Sequence, residues 1–448
     1  MMLINFIKKH LSKHVLLLLC SVLLISMGHS SSNKSFILYG DILFLIAILI
    51  GKPKDDIISY AFIIPFTGIM PVGAFRIFYC LWISIVKLAR IPYYKNSNVL
   101  SFAVVYFALN FIVFDLIIGG NDSIVTLYSF MLYIILFMAK SRVIPIDVEK
   151  LAFFIGLSCI LILRLILVTS EGLDIYVDSS NEQIKLGEDA RDIGGAMGVS
   201  LYTCVGFSVA LIFSFIKKGI EKIVAVAAMF FFVLLALYAL SRTFFSSIAL
   251  AVLCSFLVAI FRGDSRGIIY YAKIFTPIFL LSILAIPIIG IYFSSDIAIM
   301  TEKLVGLFDG GPGSRTKIWL SVFEYLAVDP ITLLFGAGTN RYSVMEGTIN
   351  YAFHGYGAHC LYFDVLLSFG IIGFLVLSVL LKILYRSVRL YSCHQNISCQ
   401  QVMPLPIQIL PLLIYVFSQF AQGSFRDTPS YIYPVVLLII TFGLLNKR

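Results

Sequence analysis

Apolar runs long enough to cross a hydrocarbon core of ~30 Å, at about 20 residues per helix, recur along the whole chain and constrain it more than any other feature. Read against turn and charge punctuation they number about fourteen: 12–28, 36–51, 57–71, 74–89, 99–119, 123–139, 151–169, 194–216, 223–240, 243–261, 270–293, 359–381, 404–421 and 430–446. The third is interrupted by Pro65. Only 13% of the 448 residues are charged, against about 25% in a soluble domain, so a water-facing surface cannot be built from this composition. The expectation is an all-α, polytopic integral membrane protein with about 14 transmembrane helices, residues 1–448 forming one transmembrane domain.

Charge sets the orientation. With both ends inside, the short inner loops and tails would hold Lys8, Lys9, Lys13, Lys52, Lys54, Lys87, Arg90, Lys95, Lys140, Arg142, Lys150, Lys217, Lys218, Lys222, Arg262, Arg266, Lys273, Lys382, Arg386, Arg389, Lys447 and Arg448, which are 22 of the 33 basic residues. That excess predicts cytoplasmic termini. The net charge of +9 is therefore topological and implies no nucleic-acid partner. The first 28 residues have the basic start and apolar run of a signal peptide but no small-x-small cleavage site before Gly28, and they read as an uncleaved first helix. Of the eight cysteines, Cys20, Cys80, Cys159, Cys204 and Cys254 lie in apolar runs and Cys393 and Cys399 in a basic loop, so they read as small fillers rather than a disulfide framework.

Two outer loops exceed the length of a plain connector. Residues 170–193 are acidic and end in Glu188-Asp189-Ala190-Arg191-Asp192. Residues 294–358 form the large loop, with Gly311-Pro312-Gly313-Ser314-Arg315, Trp319, Gly336-Ala337-Gly338 and His354, and His359 follows directly. Within it Arg315 to Val328 alternates at a helical period, predicting a helix on the membrane surface. The outer basic residues are mostly arginines: Arg76, Arg164, Arg191, Arg242, Arg315, Arg341 and Arg426, with Lys34, Lys185, Lys303 and Lys317. A guanidinium fork matches phosphate oxygens and is weakly hydrated, which suits a diphosphate at a membrane surface.

Ser241-Arg242-Thr243 lies between two apolar runs with no room for a loop, and Arg164 sits within the seventh run. A charge at membrane depth costs at least ~2.5 kcal/mol unless it meets a polar cavity or partner. Arg242 reads either as a functional residue or as a snorkelling arginine at a tight hairpin. His359 reads either as a base that accepts a hydroxyl proton or as a capping or packing group. Gly370 and Gly373 read as small residues that let helices approach. Glu188, Asp189, Asp192 and His354 could contact sugar hydroxyls or solvate a loop, and Tyr351, Tyr356 and Tyr362 could stack on sugars or belong to an interfacial belt. No Walker motif, internal repeat or carboxylate–histidine metal cluster is legible, and no cofactor is implied.

His359 and Cys360, followed by nine residues and Gly370-Ile371-Ile372-Gly373, resemble the signature shared by bacterial O-antigen ligases and Wzy-type O-antigen polymerases. Cys360 stands where that signature has Asn, Ser or Gln. The resemblance runs from Arg191 to Gly373: Arg191-x-x-Gly194, Ser241-Arg242-Thr243, Arg315 with Trp319, and Pro330 followed by Gly336-x-Gly338 match in order and spacing. The N-terminal half matches only in hydrophobicity. The resemblance implies a fold akin to the C-type glycosyltransferases, with the site on the periplasmic face of the bacterial inner membrane and no metal requirement. It implies His359, Arg315 and Arg242 as catalytic residues and Arg191, with Trp319 of the same motif set, as substrate-binding residues; Arg341, His354 and Tyr356 of the large loop are the further substrate-binding candidates. The substrate would be an undecaprenyl-diphosphate-linked oligosaccharide, with membrane lipids and a chain-length regulator protein as further partners. The expected activity is O-antigen polymerase. The alternatives are a ligase that passes the glycan to lipid A-core, and a transporter or flippase of lipid-linked oligosaccharide. Transport would call for polar residues around a midplane cavity and repeat-related broken helices.

Overall fold

The computed structural model describes residues 13–31, 33–63, 66, 73–91, 98–113, 123–140, 147–169, 176–178, 183–185, 195–238, 241–265, 267–269, 271–272, 315–338, 360–394 and 405–420. Ten helices come first: α1 (Lys13–Ser30), α2 (Lys34–Ile50), α3 (Pro53–Ile63), α4 (Gly73–Ala89), α5 (Asn98–Asn110), α6 (Ser123–Lys140), α7 (Val148–Thr169), α8 (Gly195–Ile216), α9 (Ile220–Tyr238) and α10 (Arg242–Phe261). They coincide with the first ten apolar runs, α3 stopping short of Pro65. Then follow α11 (Arg315–Val328), α12 (Pro330–Phe335), α13 (Leu361–His394) and α14 (Leu405–Phe420). Between α7 and α8 a three-residue pair of antiparallel strands, β1 (Tyr176–Asp178) and β2 (Gln183–Lys185), departs from the all-α pattern. The runs 430–446 and, but for two residues, 270–293 lie outside the described residues.

The bundle is apolar outside as well as inside. On α9 Ile223 is 68% exposed, Phe230 66% and Leu234 64%, and comparable side chains project from α1, α2, α5 and α10. Among the described residues two helical stretches, Thr243–Phe261 and Leu361–Val379, are long and apolar enough to cross a membrane, and shorter apolar helices include Ile77–Ala89, Leu100–Val113 and Val199–Phe215. One continuous core joins α1 to α9 with the middle of α13. A second joins α8, α9, α10 and α14, and a third joins α11 to α13.

Polar contacts sort the helix ends into two groups. At one end, the Lys87 ammonium of α4 donates to the Ile48 and Gly51 carbonyls that close α2 and pairs with Asp56 of α3 at 3.2 Å. Lys140 of α6 donates to the Leu88, Ala89 and Ile91 carbonyls that close α4. Lys217 after α8 pairs with Glu149 of α7 and, at 3.1 Å, with Glu221 of α9. Lys150 lies 3.9 Å from Asp55, and the His14 ring of α1 is 2.9 Å from the Ser59 hydroxyl. These are the ends that the basic residues place together in sequence. Asn110 at the close of α5, Ser200 at the start of α8, Ser241 before α10 and Tyr362 at the start of α13 belong to the opposite end. The alternation of up and down helices follows.

Candidate functional site

At this second end α11 lies along the first half of α13. The Trp319 ring is 5.3 Å from Phe363, Phe323 meets the same ring at 5.3 Å, and Val322 and Leu326 are buried with Leu367. Contacts therefore advance from Trp319 to Leu326 as they advance from Phe363 to Leu367, so the two helices run parallel. The stripe Trp319, Val322, Leu326 has the spacing of one helical face, and Arg315 stands one turn before Trp319 on that stripe. The helix expected over Arg315–Val328 is present with those bounds, and it packs along α13.

A one-residue link leads from α11 into α12. Asp329 caps α12, its carboxylate accepting from the backbone N–H groups of Ile331 and Thr332 at 3.1 Å, with Pro330 in the first turn. Those N–H groups hold the Asp329 carboxyl below its ordinary pKa. α12 ends at Gly336 with φ +82°, and its last turn crosses a break in α13. Gly370 has φ +60° and ψ −170°, values that no helix contains. A Cβ at Gly336 would overlap the Ser368 backbone, and one at Gly370 would overlap the Leu334 carbonyl. The crossing is thus made backbone to backbone, which only glycine permits at positive φ. Gly370 does serve close approach, as expected, but it also interrupts its helix.

A broken helix strands the carbonyls of its last turn. Here Ala337 N–H donates to Leu367 O at 2.8 Å and Gly338 N–H to Ser368 O at 3.1 Å. The Tyr106 hydroxyl of α5 donates to Phe369 O, and the Asn110 amide to Phe335 O at 3.1 Å. The Tyr128 hydroxyl of α6 in turn donates to the Asn110 carbonyl oxygen at 2.7 Å.

Arg242 is the first residue of α10. Ser241 caps that helix by accepting from Phe244 N–H, and its hydroxyl is 2.6 Å from that of Ser200 in α8. α10 and α11 therefore both open on an arginine, and neither has an acidic residue in its first turn. A cation at the positive end of a helix dipole is opposed by about 0.3–1 kcal/mol, whereas an anion there is favoured by a similar amount. Two such starts suit an anionic ligand.

Of the residues singled out in sequence, Trp319 is half-buried against Phe363, and Arg242 and Arg315 are placed by their backbones at helix starts. Arg164 is exposed on α7. Cys360 is buried, and its carbonyl accepts the first helical bond of α13, from Asp364 N–H. His359, Arg191, Arg341, His354 and Tyr356 lie outside the described residues, as do Glu188, Asp189 and Asp192. No group of three or more His, Cys, Asp or Glu that could hold a metal occurs among the described residues. Tyr106, Asn110 and Tyr128 were not legible as a site, although Asn110 stands out as an amide inside an apolar run. No family model and no curated protein matches the chain.

Proposed function

We propose that this protein is a Wzy-like O-antigen polymerase of the bacterial inner membrane. In this reading it crosses the bilayer about fourteen times with both termini in the cytoplasm, and its site faces the periplasm. The observation that carries the reading is the parallel docking of α11 on α13: Arg315 lies one turn upstream of Trp319, and His359 one turn upstream of Phe363 in sequence. Arg315 opens α11 and, in sequence, His359 stands two residues before α13, so the docking of these two helices supports a reading in which a guanidinium and an imidazole act together beside helix starts suited to an anion. The outward-facing apolar side chains support a lipid surround, and the motif order from Arg191 to Gly373 supports the family resemblance.

The chemistry is a direct displacement. His359 takes the proton from a sugar hydroxyl of one lipid-linked repeat unit. The hydroxyl oxygen attacks the anomeric carbon of the growing chain, and the bond from that carbon to the diphosphate oxygen breaks with inversion. Arg242, Arg315 and Arg191 neutralise the charge that develops on the undecaprenyl diphosphate. Arg341, His354, Trp319 and Tyr356 hold the glycan.

In cells, Arg315→Ala and His359→Ala should leave surface lipopolysaccharide with one repeat unit only. A normal ladder of chain lengths in either variant rejects the assignment. Loss of all O-antigen would instead assign the ligase reaction, which uses the same donor. The break in α13 is the one feature that favours transport, because discontinuous helices build transporter sites. Its freed carbonyls are occupied by Ala337, Gly338 and Tyr106, so the break joins elements and leaves no open cage of oxygens at those three positions.

A further inference from the structure

We infer that Tyr106, Asn110 and Tyr128, in the half of the chain that carries no motif, are positioning residues for glycan transfer. They would act by clamping the end of α12 to the break in α13, and the inference rests on the polymerase reading.

The Tyr106 hydroxyl reaches both sides of the crossing. It donates to Phe369 O on α13 and lies 3.4 Å from Phe335 O on α12. The Asn110 amide donates to the same Phe335 oxygen at 3.1 Å, and Tyr128 fixes the amide by donating to its carbonyl. Tyr106 and Asn110 are buried, and Phe369 is sealed by Phe107 at 5.4 Å and Tyr128 at 6.4 Å. Water is thus poorly placed to replace the buried Tyr106 bond, and an unsatisfied Phe369 carbonyl in such surroundings is costly.

The second glycine of the Gly370-x-x-Gly373 pair acquires a reason here. A Cβ at Gly373 would come within 3.1 Å of the Tyr106 hydroxyl and would overlap the Phe369 side chain. Gly370 admits the α12 backbone, and Gly373 admits Tyr106. The pair is therefore the footprint of the clamp, one glycine for each partner.

What the clamp positions follows from connectivity. α12 is joined to α11 by Asp329 alone, so holding Phe335 on Gly370 holds α11 along the first half of α13. That fixes the Arg315 end of α11 relative to the residues that open α13. None of the three polar groups lies at that end. Their loss should lower turnover without weakening substrate binding.

The test uses the full-length protein in lipid nanodiscs with a synthetic undecaprenyl-diphosphate repeat unit. Tyr106→Phe and Asn110→Leu should each lower kcat by about 10²-fold with KM within about twofold, as for a reacting group displaced by about an ångström. Tyr128→Phe, one bond further out, should lose less. Independently of activity, the cysteine pair Phe323→Cys with Phe363→Cys should oxidise to a disulfide in an otherwise native chain. Adding Tyr106→Phe should reduce that yield in the fraction that elutes as folded protein. Native kcat together with native disulfide yield in both variants overturns the proposal, and so does a raised KM at native kcat, which would mark substrate contact. If the native chain transfers no glycan while Tyr106→Phe still lowers the disulfide yield, the clamp stands and the polymerase reading falls.

Discussion

The two ends of the bundle use their cations in opposite ways. At the end holding Lys87, Lys140, Lys150 and Lys217, the ammonium groups meet carboxylates or helix-closing carbonyls of neighbouring helices. Lysine suits this work, because a compact charge with three donors can collect several carbonyls that a helix end leaves over. Burial pushes the Lys140 pKa down, but Lys217, although burial opposes its charge, is held above its ordinary value by Glu149 and Glu221. At the other end two arginines stand on the first residues of α10 and of α11, where helix dipoles oppose them and no first-turn acid compensates. One end spends its charge on holding helices together, and the other presents charge where an anion would be welcomed. Positive-inside counting sees only the side on which a residue lies. The contrast in use appears once partners are known.

The largest effect that would test this division is at the structural end. Lys87→Met leaves the fully buried Asp56 without its cation, and removing one partner of a buried pair costs about 3–5 kcal/mol. Thermal unfolding in detergent should show the loss. Its pH dependence is the sharper measure. Burial raises the Asp56 carboxyl to about 6, despite Lys87 and hydrogen bonds from Ser84, from an ordinary 3.8. Between these values the folded chain holds a proton that the unfolded chain has released, so stability falls as pH rises from about 4 to above 6. The span amounts to roughly 3 kcal/mol. Asp56→Asn should flatten that slope, and the cost of Lys87→Met should be smaller at pH 5 than at pH 7. A Lys87→Met variant as stable as the native chain at neutral pH would mean that this end is not built on its ion pairs.

A smaller effect compares two glycines with the same backbone. Gly219, at the lysine end, has φ +61° with open space around a would-be Cβ, and Gly370 has φ +60° with the Leu334 carbonyl in that space. Gly219→Ala should cost only the left-handed strain, about 1 kcal/mol. Gly370→Ala adds the collision and should cost about 2–3 kcal/mol, with the disulfide between Phe323→Cys and Phe363→Cys lost in parallel. Equal costs would show that the crossing of α12 and α13 is slack.

Much of this architecture was legible from periodicity. Ten successive apolar runs became ten helices, and the polar–apolar alternation from Arg315 to Val328 gave the bounds of α11, because helix formation there is decided locally. The break at Gly370 was not legible. Apolar residues continue through Phe369-Gly370-Ile371-Ile372, and the interruption is imposed by α12, which crosses from more than thirty residues upstream. Tyr106 and Asn110 were hidden for the same reason. Their acceptors lie more than 220 residues away, and in sequence they look like an interfacial tyrosine and a stray amide. The role of Lys87, Lys140 and Lys217 in closing neighbouring helices was not legible either, because it depends on which helix stands beside which.

The smallest effect concerns how the arginine end holds its own helix start. Ser241 has two bonds, the cap to Phe244 N–H at 3.3 Å and the lateral contact to Ser200 at 2.6 Å. Loss of an N-cap costs about 1 kcal/mol, whereas a lateral hydroxyl contact is worth about half that or a little more. If the cap fixes the first turn of α10, and Arg242 with it, Ser241→Ala should lower both melting temperature and glycan transfer more than Ser200→Ala does. Ser200→Ala removes the lateral bond and leaves the cap in place. The reverse order, with Ser200→Ala the more damaging, would mean that Arg242 is placed by the packing of α10 against α8 and not by the capping of its own helix. The opposed charge at that helix start would then be set from outside, as the Lys87 and Lys140 ammonium groups are set by neighbouring helices at the other end.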